Sequence, residues 1–316
     1  MKKILLDFIK KYGAVAGGII LLSTIMSFAS PYFATRANFF NLLRQINTNA
    51  LMAFGITFVL ACGCIDLSTG SQIAFASVNI ALLIKAGLSF WPALLITFLI
   101  GALVGLINGI VVSYTLVPPF IATLAMQFCI RGAAYITSGG LAIKVNSDAF
   151  LKFGNGNILG VPNPTIMFII LGLLLGRILS STSFGRHVLA TGGNLEAAQY
   201  AGINVKKVKI LCYIIMALMC SLAGVIAGSR AYSGQPALGV GYEADAIAAA
   251  VLGGVKFGGG RGSIMGTFLG ACIIGIIANS LNLLEVGFYY QTMIKGLIIL
   301  FAVFIDTEQS RKRGGV

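Results

Sequence analysis

Two sets of residues in this chain have types and spacing suited to recognition rather than to bond-making. The first is a polar stretch, Gly185 to Lys209, reading GRHVLATGGNLEAAQYAGINVKKVK between long apolar runs. Gly192 and Gly193 break what precedes them. Asn194 is a strong helix N-cap, and Glu196 in the first turn complements the helix dipole. On the helix this predicts, Ala197 shares a face with Ala201, and Ala198 with Gly202. One side is then nearly bare backbone, which a rigid partner groove can grip closely while Glu196 pairs with a partner base. A helix lying on lipid would need a bulky apolar side instead. The second set is polar residues inside apolar runs: Asn79, Asn108, Gln127, Arg131 and Asn279. Amides donate and accept hydrogen bonds, which suits weak contact with a polyol in a pathway and equally suits bonding between helices. Arg131 is the sharpest, because a charge within a span faces water or a partner, or snorkels to the interface.

Bond-making chemistry finds no support. The only histidine, His187, lies in the basic stretch, so neither a His-based metal site nor a triad is expected. No paired acids and no nucleophile beside a base are visible. The six cysteines fall in or beside apolar runs and read as small packing residues. No Gly-Lys dipeptide occurs, so the chain has no Walker A loop. No cofactor is expected on this chain, and a solute moved with ATP would need its nucleotide site on another subunit.

The elements that must position these residues are membrane helices. Of 316 residues 58% are apolar and only 10% charged, against about 25% charged in soluble domains. Apolar runs near twenty residues match a bilayer core of roughly 30 Å. The fold class is an all-α polytopic membrane protein, a single transmembrane domain over 1–316. About ten spans are expected: 13–30, 47–64, 71–87, 92–114, 119–137, 164–180, 207–229, 242–257, 263–283 and 289–306. The first is read as a retained span rather than a cleaved signal. Pro92, Pro119 and Pro164 fit the first turns of helices, and Trp91 an interface. Small residues at four-residue spacing (Gly101, Gly105 and Gly109; Gly224 and Gly228; Gly266 and Gly270) predict close helix approach.

The net charge of +13 is scattered over loops and termini, which argues against nucleic acid and for topology. Ten spans put both termini on one side. That side carries Lys2, Lys3, Lys10, Lys11, Arg177, Arg186, Lys206, Lys207, Lys209, Lys256, Arg261, Arg311, Lys312 and Arg313. The other has Arg36, Arg44, Lys85, Lys144, Lys152 and Arg230, while Arg131 and Lys295 fall within spans. Fourteen against six predicts a cytosolic N- and C-terminus. The 181–206 loop is then cytosolic, and the Gly-, Asn- and Pro-rich 138–163 loop extracytoplasmic. Glu243 and Asp245 face outward on this reading, free to meet a delivering protein or to solvate a helix start. Asp66, Ser68 and Gly70, with Gly258, Gly259 and Gly260, fall at membrane-depth breaks near the inner face. A gate or hinge and a pair of tight turns are both open there.

The motifs carry a family resemblance. Glu-Ala-Ala-x-x-x-Gly, from Glu196 to Gly202, resembles the coupling motif of ABC importer permeases. The whole Gly185–Lys209 stretch resembles the loop of the branch that imports ribose, xylose and galactosides. CGCIDLSTGSQIA, Cys62 to Ala74, resembles that branch's Gly-Gly-Ile-Asp-Leu-Ser-x-Gly-Ser segment, with a cysteine where a glycine is usual. VLGGVKFGGGRGSIMGT, Val251 to Thr267, resembles its glycine-rich segment, with Lys256 at a position often uncharged. NSLNLLEVGFYYQTMIKGLIILFAVFID continues the likeness, which covers nearly the whole chain.

The resemblance implies a permease fold in the bacterial inner membrane, surrounded by lipid. It implies a second permease copy (identical or related) with the solute pathway between them. Two ATPase subunits would hold ATP and Mg²⁺, and an extracytoplasmic binding protein would deliver a monosaccharide, ribose by frequency. Gly193, Asn194, Glu196, Ala197, Ala198 and Gly202 would dock in the ATPase. Nucleosides or branched-chain amino acids remain as alternative cargo. A secondary transporter would require intramembrane acids, of which Asp66 at a turn is nearly the sole candidate.

Overall fold

In a bilayer core no water satisfies backbone N–H and C=O groups, so apolar runs of this length must bond internally as helices. The computed structural model describes residues 2–312 and is helical nearly throughout. The side chains of Lys2, Lys3, Lys10, Lys11 and Lys312, and all of Arg313, lie outside the described residues. The helices are α1 Lys2–Ala29, α2 Arg36–Ala61, α3 Thr69–Lys85, α4 Phe90–Tyr114, α5 Pro119–Ser138, α6 Asp148–Asn155 and α7 Asn163–Ser181. They continue with α8 Ser183–Gly193, α9 Leu195–Tyr200, α10 Val205–Arg230, α11 Tyr242–Leu252, α12 Ile264–Leu283 and α13 Phe288–Lys312. Among the described residues, four two-residue strands form two antiparallel pairs. β1 Ile143–Lys144 pairs with β4 Ser233–Gly234, and β2 Asn157–Ile158 with β3 Val161–Pro162.

Each expected span falls on a helix, but among the described residues six helices are long and apolar enough to cross a membrane. These are Tyr12–Ala29 within α1, and α4, α5, α7, α10 and α12. The 242–257 run is the clearest departure. Its helix α11 has 11 residues, which rise about 16 Å, half of the roughly 30 Å needed. Gly253 and Gly254 end it, the second at φ +87°, and the Val255 N–H returns to the Ala250 carbonyl. A glycine pair stops a helix that apolar composition alone would continue. α3 stops short as well, at 17 residues.

α10 is the central post, packed on α2, α3 and α4. Tyr213 and Met216 on it are fully buried. The small-residue spacing on α4 works as expected. A Cβ on Gly105 would stand 2.7 Å from the Ala217 Cβ and 2.9 Å from the Ile214 Cα, and one on Gly109 2.7 Å from the Ile210 Cα. Polar side chains join α2 to its other neighbours. Asn47 Nδ2 donates to Thr165 Oγ1 at 3.0 Å, and the Thr57 and Thr267 hydroxyls meet at 2.7 Å.

The 138–163 loop is more ordered than its composition predicts. Phe150 of α6 is fully buried, and the Ser229 hydroxyl at the end of α10 donates to the Phe150 carbonyl at 2.6 Å. The Gly154 N–H returns to Ser229 Oγ at 3.0 Å. The loop is thus a folded cap seated on α10.

Candidate functional site

The polar 181–206 segment folds as two helices. The break expected at Gly192 and Gly193 comes one residue later, because both close α8. Asn194 caps α9 as its type predicts, with φ −154°, ψ 108° and Oδ1 accepting the Ala197 N–H at 2.9 Å. Glu196 sits exposed in the first turn. The predicted bare face is corrected in part. α9 ends at Tyr200, so Gly202 is no longer on it. Gly202 stands at φ +78°, its N–H bonded to the Gln199 carbonyl, and the Ile203 N–H returns to Ala198. Ala198 is buried against the chain, leaving Glu196, Ala197, Tyr200 and Ala201 outward. Tyr200, 92% exposed, was overlooked in the sequence. Its position four residues after Glu196, with no apolar partner on that face, is the signal that points to it.

The two break segments lie at different places. Gly259 and Gly260 pack against the end of α8, with the Gly260 N–H donating to the Ala61 carbonyl at 2.9 Å, while Gly258 does not reach α8. Gly70, at the start of α3, lies instead against the Gly239 carbonyl, on the segment between α10 and α11, and Glu243 Oε2, at the start of α11. The linker 62–68 bridges the two regions. Inside it Asp66, wholly buried, accepts the Ser68 N–H at 2.9 Å and the Ser68 hydroxyl at 2.5 Å. Gln72 Nε2 and Asn108 Nδ2 both donate to Ser68 Oγ, at 2.8 and 2.9 Å. The Leu67 N–H reaches Thr123 Oγ1, and the Tyr213 hydroxyl donates to the Ile65 carbonyl at 2.7 Å. Irregular backbone is tolerated where protein groups supply its hydrogen-bond partners, as they do here for the Ile65 carbonyl and the Leu67 and Ser68 N–H groups.

The intramembrane polar residues separate into different roles. Asn108 joins the Asp66–Ser68 knot. Asn79 is buried beside a void of about 10 Å³ that it shares with Gln72, and its Nδ2 lacks a protein partner. A space of that size holds about one water. Gln127 is half-buried on α5, one turn before Arg131. Arg131 Nη1 donates to the carbonyls of Pro236 and Leu238, both at 2.7 Å. The guanidinium therefore clamps the strap Gln235–Gly241 rather than snorkelling. Asn279 makes a reciprocal amide pair with Asn38, at 3.0 and 2.9 Å. That pair bonds α12 to α2. Asp245 is not open to a delivering protein, because it is buried and ion-paired with Lys295 at 2.7 Å. Two opposite charges in two apolar runs were the sequence signal for that pair.

Comparison with known proteins decides what such a scaffold belongs to. The family "Branched-chain amino acid transport system / permease component" matches residues 38–303. The chain belongs to this family. Ribose import permease protein RbsC of Escherichia coli (strain K12) is 41% identical over 295 residues, covering 92% of each chain. Its counterpart in Bacillus subtilis (strain 168) is 43% identical over 295 residues, 93% of this chain and 92% of that one. L-arabinose transport system permease protein AraH of Escherichia coli (strain K12) is 38% identical over 304 residues, 96% of this chain and 92% of that one. No solved structure matches. A permease component works beside other components. On this permease α9 is an exposed short helix with one acid, Glu196, in its first turn.

Proposed function

We propose that this chain is the membrane-spanning subunit of an ATP-driven ABC importer, passing a ribose-type monosaccharide into the cytoplasm. The observation that carries this reading is α9: a capped helix with Glu196 and Ala197 exposed at its start, in a permease with no nucleotide loop of its own. The names of the relatives, ribose and arabinose permeases, support the sugar.

In this reading an extracytoplasmic binding protein delivers the sugar and a second permease copy completes the pathway. ATP and Mg²⁺ sit on ATPase subunits that grip α9 through Glu196, Ala197, Tyr200 and Ala201. Asn194 and Gly193 set the direction of α9, while Ala198 and Gly202 seat and end it. ATPase closure then biases two arrangements of the membrane domain. All ten helical runs lie at membrane depth, with α3 and α11 as the short members, and both termini are cytosolic. Asn79, Asn108 and Gln127 are retained as pathway candidates, and the Asp66–Gly70 linker as the moving part of a gate.

The test is uptake in proteoliposomes holding the permease, its ATPase and its binding protein. Glu196→Lys should insert normally and lose ATP-driven uptake; normal uptake would refute the docking role. Labelled ribose, arabinose, a nucleoside and leucine offered in parallel identify the cargo, and transport of leucine alone would overturn the sugar reading.

A further inference from the structure

Three stretches of chain meet where α8 ends, and they meet backbone on backbone. A Cβ on Gly192 would collide with the Ala61 carbonyl and stand 2.7 Å from the Gly260 nitrogen. One on Gly259 would stand 2.7 Å from the Gly192 carbonyl oxygen and 2.8 Å from the Gly63 nitrogen. One on Gly260 would stand 2.8 Å from the Gly193 Cα. Gly259 and Gly260 also hold φ of +86° and +82°, where a residue with a Cβ is strained. The Gly260 N–H bond to the Ala61 carbonyl, at 2.9 Å, ties the turn between α11 and α12 to the end of α2. No side chain lies between these segments, so none can relieve a displacement by changing rotamer. Close-packed contacts of this kind pass a shift on rather than absorb it.

Gly192 is two residues before Asn194, the cap of α9. We propose that this glycine junction is the rigid link through which movement of α9 reaches α2 and α12, with Gly192 as its positioning residue. The proposal rests on reading α9 as the ATPase-docking helix. It makes Gly258–Gly260 a fixed joint rather than a hinge. It also gives the movement an onward route, because Ala61 leads into the linker 62–68. That linker is held as one body by the Asp66–Ser68 knot and leads into α3, whose Gly70 lies against Gly239 and Glu243.

Adjacent glycines provide the test, because the junction treats them differently. A Cβ on Gly193 meets nothing closer than the Gly260 Cα at 3.8 Å. In the reconstituted importer Gly192→Ala should lower uptake about tenfold or more, in line with loss of a coupling contact. The ATPase should still copurify and keep its basal hydrolysis, while stimulation by loaded binding protein disappears. Gly193→Ala, with the same gain in helix propensity but no such collision, should lose distinctly less uptake than Gly192→Ala. Gly254→Ala, strained at φ +87° but with no atom within 4 Å, separates backbone strain from contact and should stay coupled. Full coupling in Gly192→Ala, or equal loss in Gly192→Ala and Gly193→Ala, would overturn the junction.

Hydrogen exchange over residues 257–263 of the unsubstituted importer gives a second arm that needs no variant. Protection should persist in both nucleotide-free and vanadate-trapped complexes; loss in either would make the turn a hinge. If Glu196→Lys transports normally, the docking reading fails by itself, and the exchange arm still judges the joint.

Discussion

Asn279 has its amide engaged by Asn38, and that arrangement predicts what its loss does. Asn279→Ala leaves one buried amide without its partner in a helix pair where such bonds contribute about 0.6 kcal/mol on average and at most about 1.7. The unfolding midpoint should fall by a few degrees while uptake per inserted molecule is retained; loss of uptake at unchanged stability would return Asn279 to the pathway. The Asp245–Lys295 pair should matter more. Asp245→Ala strands an ammonium whose side chain is 31% exposed, so a loss of about 1–3 kcal/mol is expected, less than for a wholly buried pair. Asp245→Asn combined with Lys295→Gln should recover most of it in a thermal melt, and a double variant no better than the single would refute the pair's role. Asn279 and Lys295 stand out in the sequence as polar groups in apolar runs, whereas Asn38 does not and Asp245 reads as an outward-facing residue. What could not be read was whom they face. Asn38 and Asn279 are 241 positions apart, and helical periodicity relates only neighbours a few turns away.

Between the residues and the molecule stands the strap Gln235–Gly241, which joins α10 to α11. Arg131 on α5 holds it through two carbonyls, and it lies over Gly70 at the start of α3. A charged hydrogen bond contributes about 1.5–3 kcal/mol, so Arg131→Ala should speed hydrogen exchange in residues 235–241 by about ten- to hundredfold. Arg131→Lys, with one compact ammonium in place of a planar fork, should fall between. Exchange unchanged in both variants would show that the strap is held otherwise. The same scale explains which elements were legible. Runs of twenty apolar residues announce α4, α5, α7, α10 and α12, because bilayer thickness sets their length. α11 was misjudged, because a glycine pair ends it inside an apolar run. α6 was missed because it is held by packing on α10, which composition does not record. Within the docking segment, Asn194 and Glu196 were legible from local capping rules. The tilt that buries Ala198 depends on contact with the rest of the chain and was not.

For the molecule as a whole, the remaining question is which face meets the ATPase. Leu159, fully exposed in the turn between β2 and β3, and Ala201, exposed after α9, are separated by one long apolar crossing, α7. In the proposed topology that one crossing puts them on opposite sides of the bilayer. The direction follows from charge: Arg177, Arg186, Lys206, Lys207 and Lys209 cluster around α8 and α9, and short loops rich in Lys and Arg stay in the cytosol. Leu159→Cys and Ala201→Cys, each in a background freed of the native cysteines, put this to a direct measurement. A membrane-impermeant maleimide should label the first on intact spheroplasts and the second only after permeabilisation. The reverse pattern would leave the fold untouched but place α9 outside, where no ATPase could grip it. Labelling of both from one side would mean that α7 does not cross. Only the expected outcome lets the glycine junction, the Asp66 linker and the Arg131 strap lie in that order from the cytosolic face outward, as an importer driven from the cytosol needs.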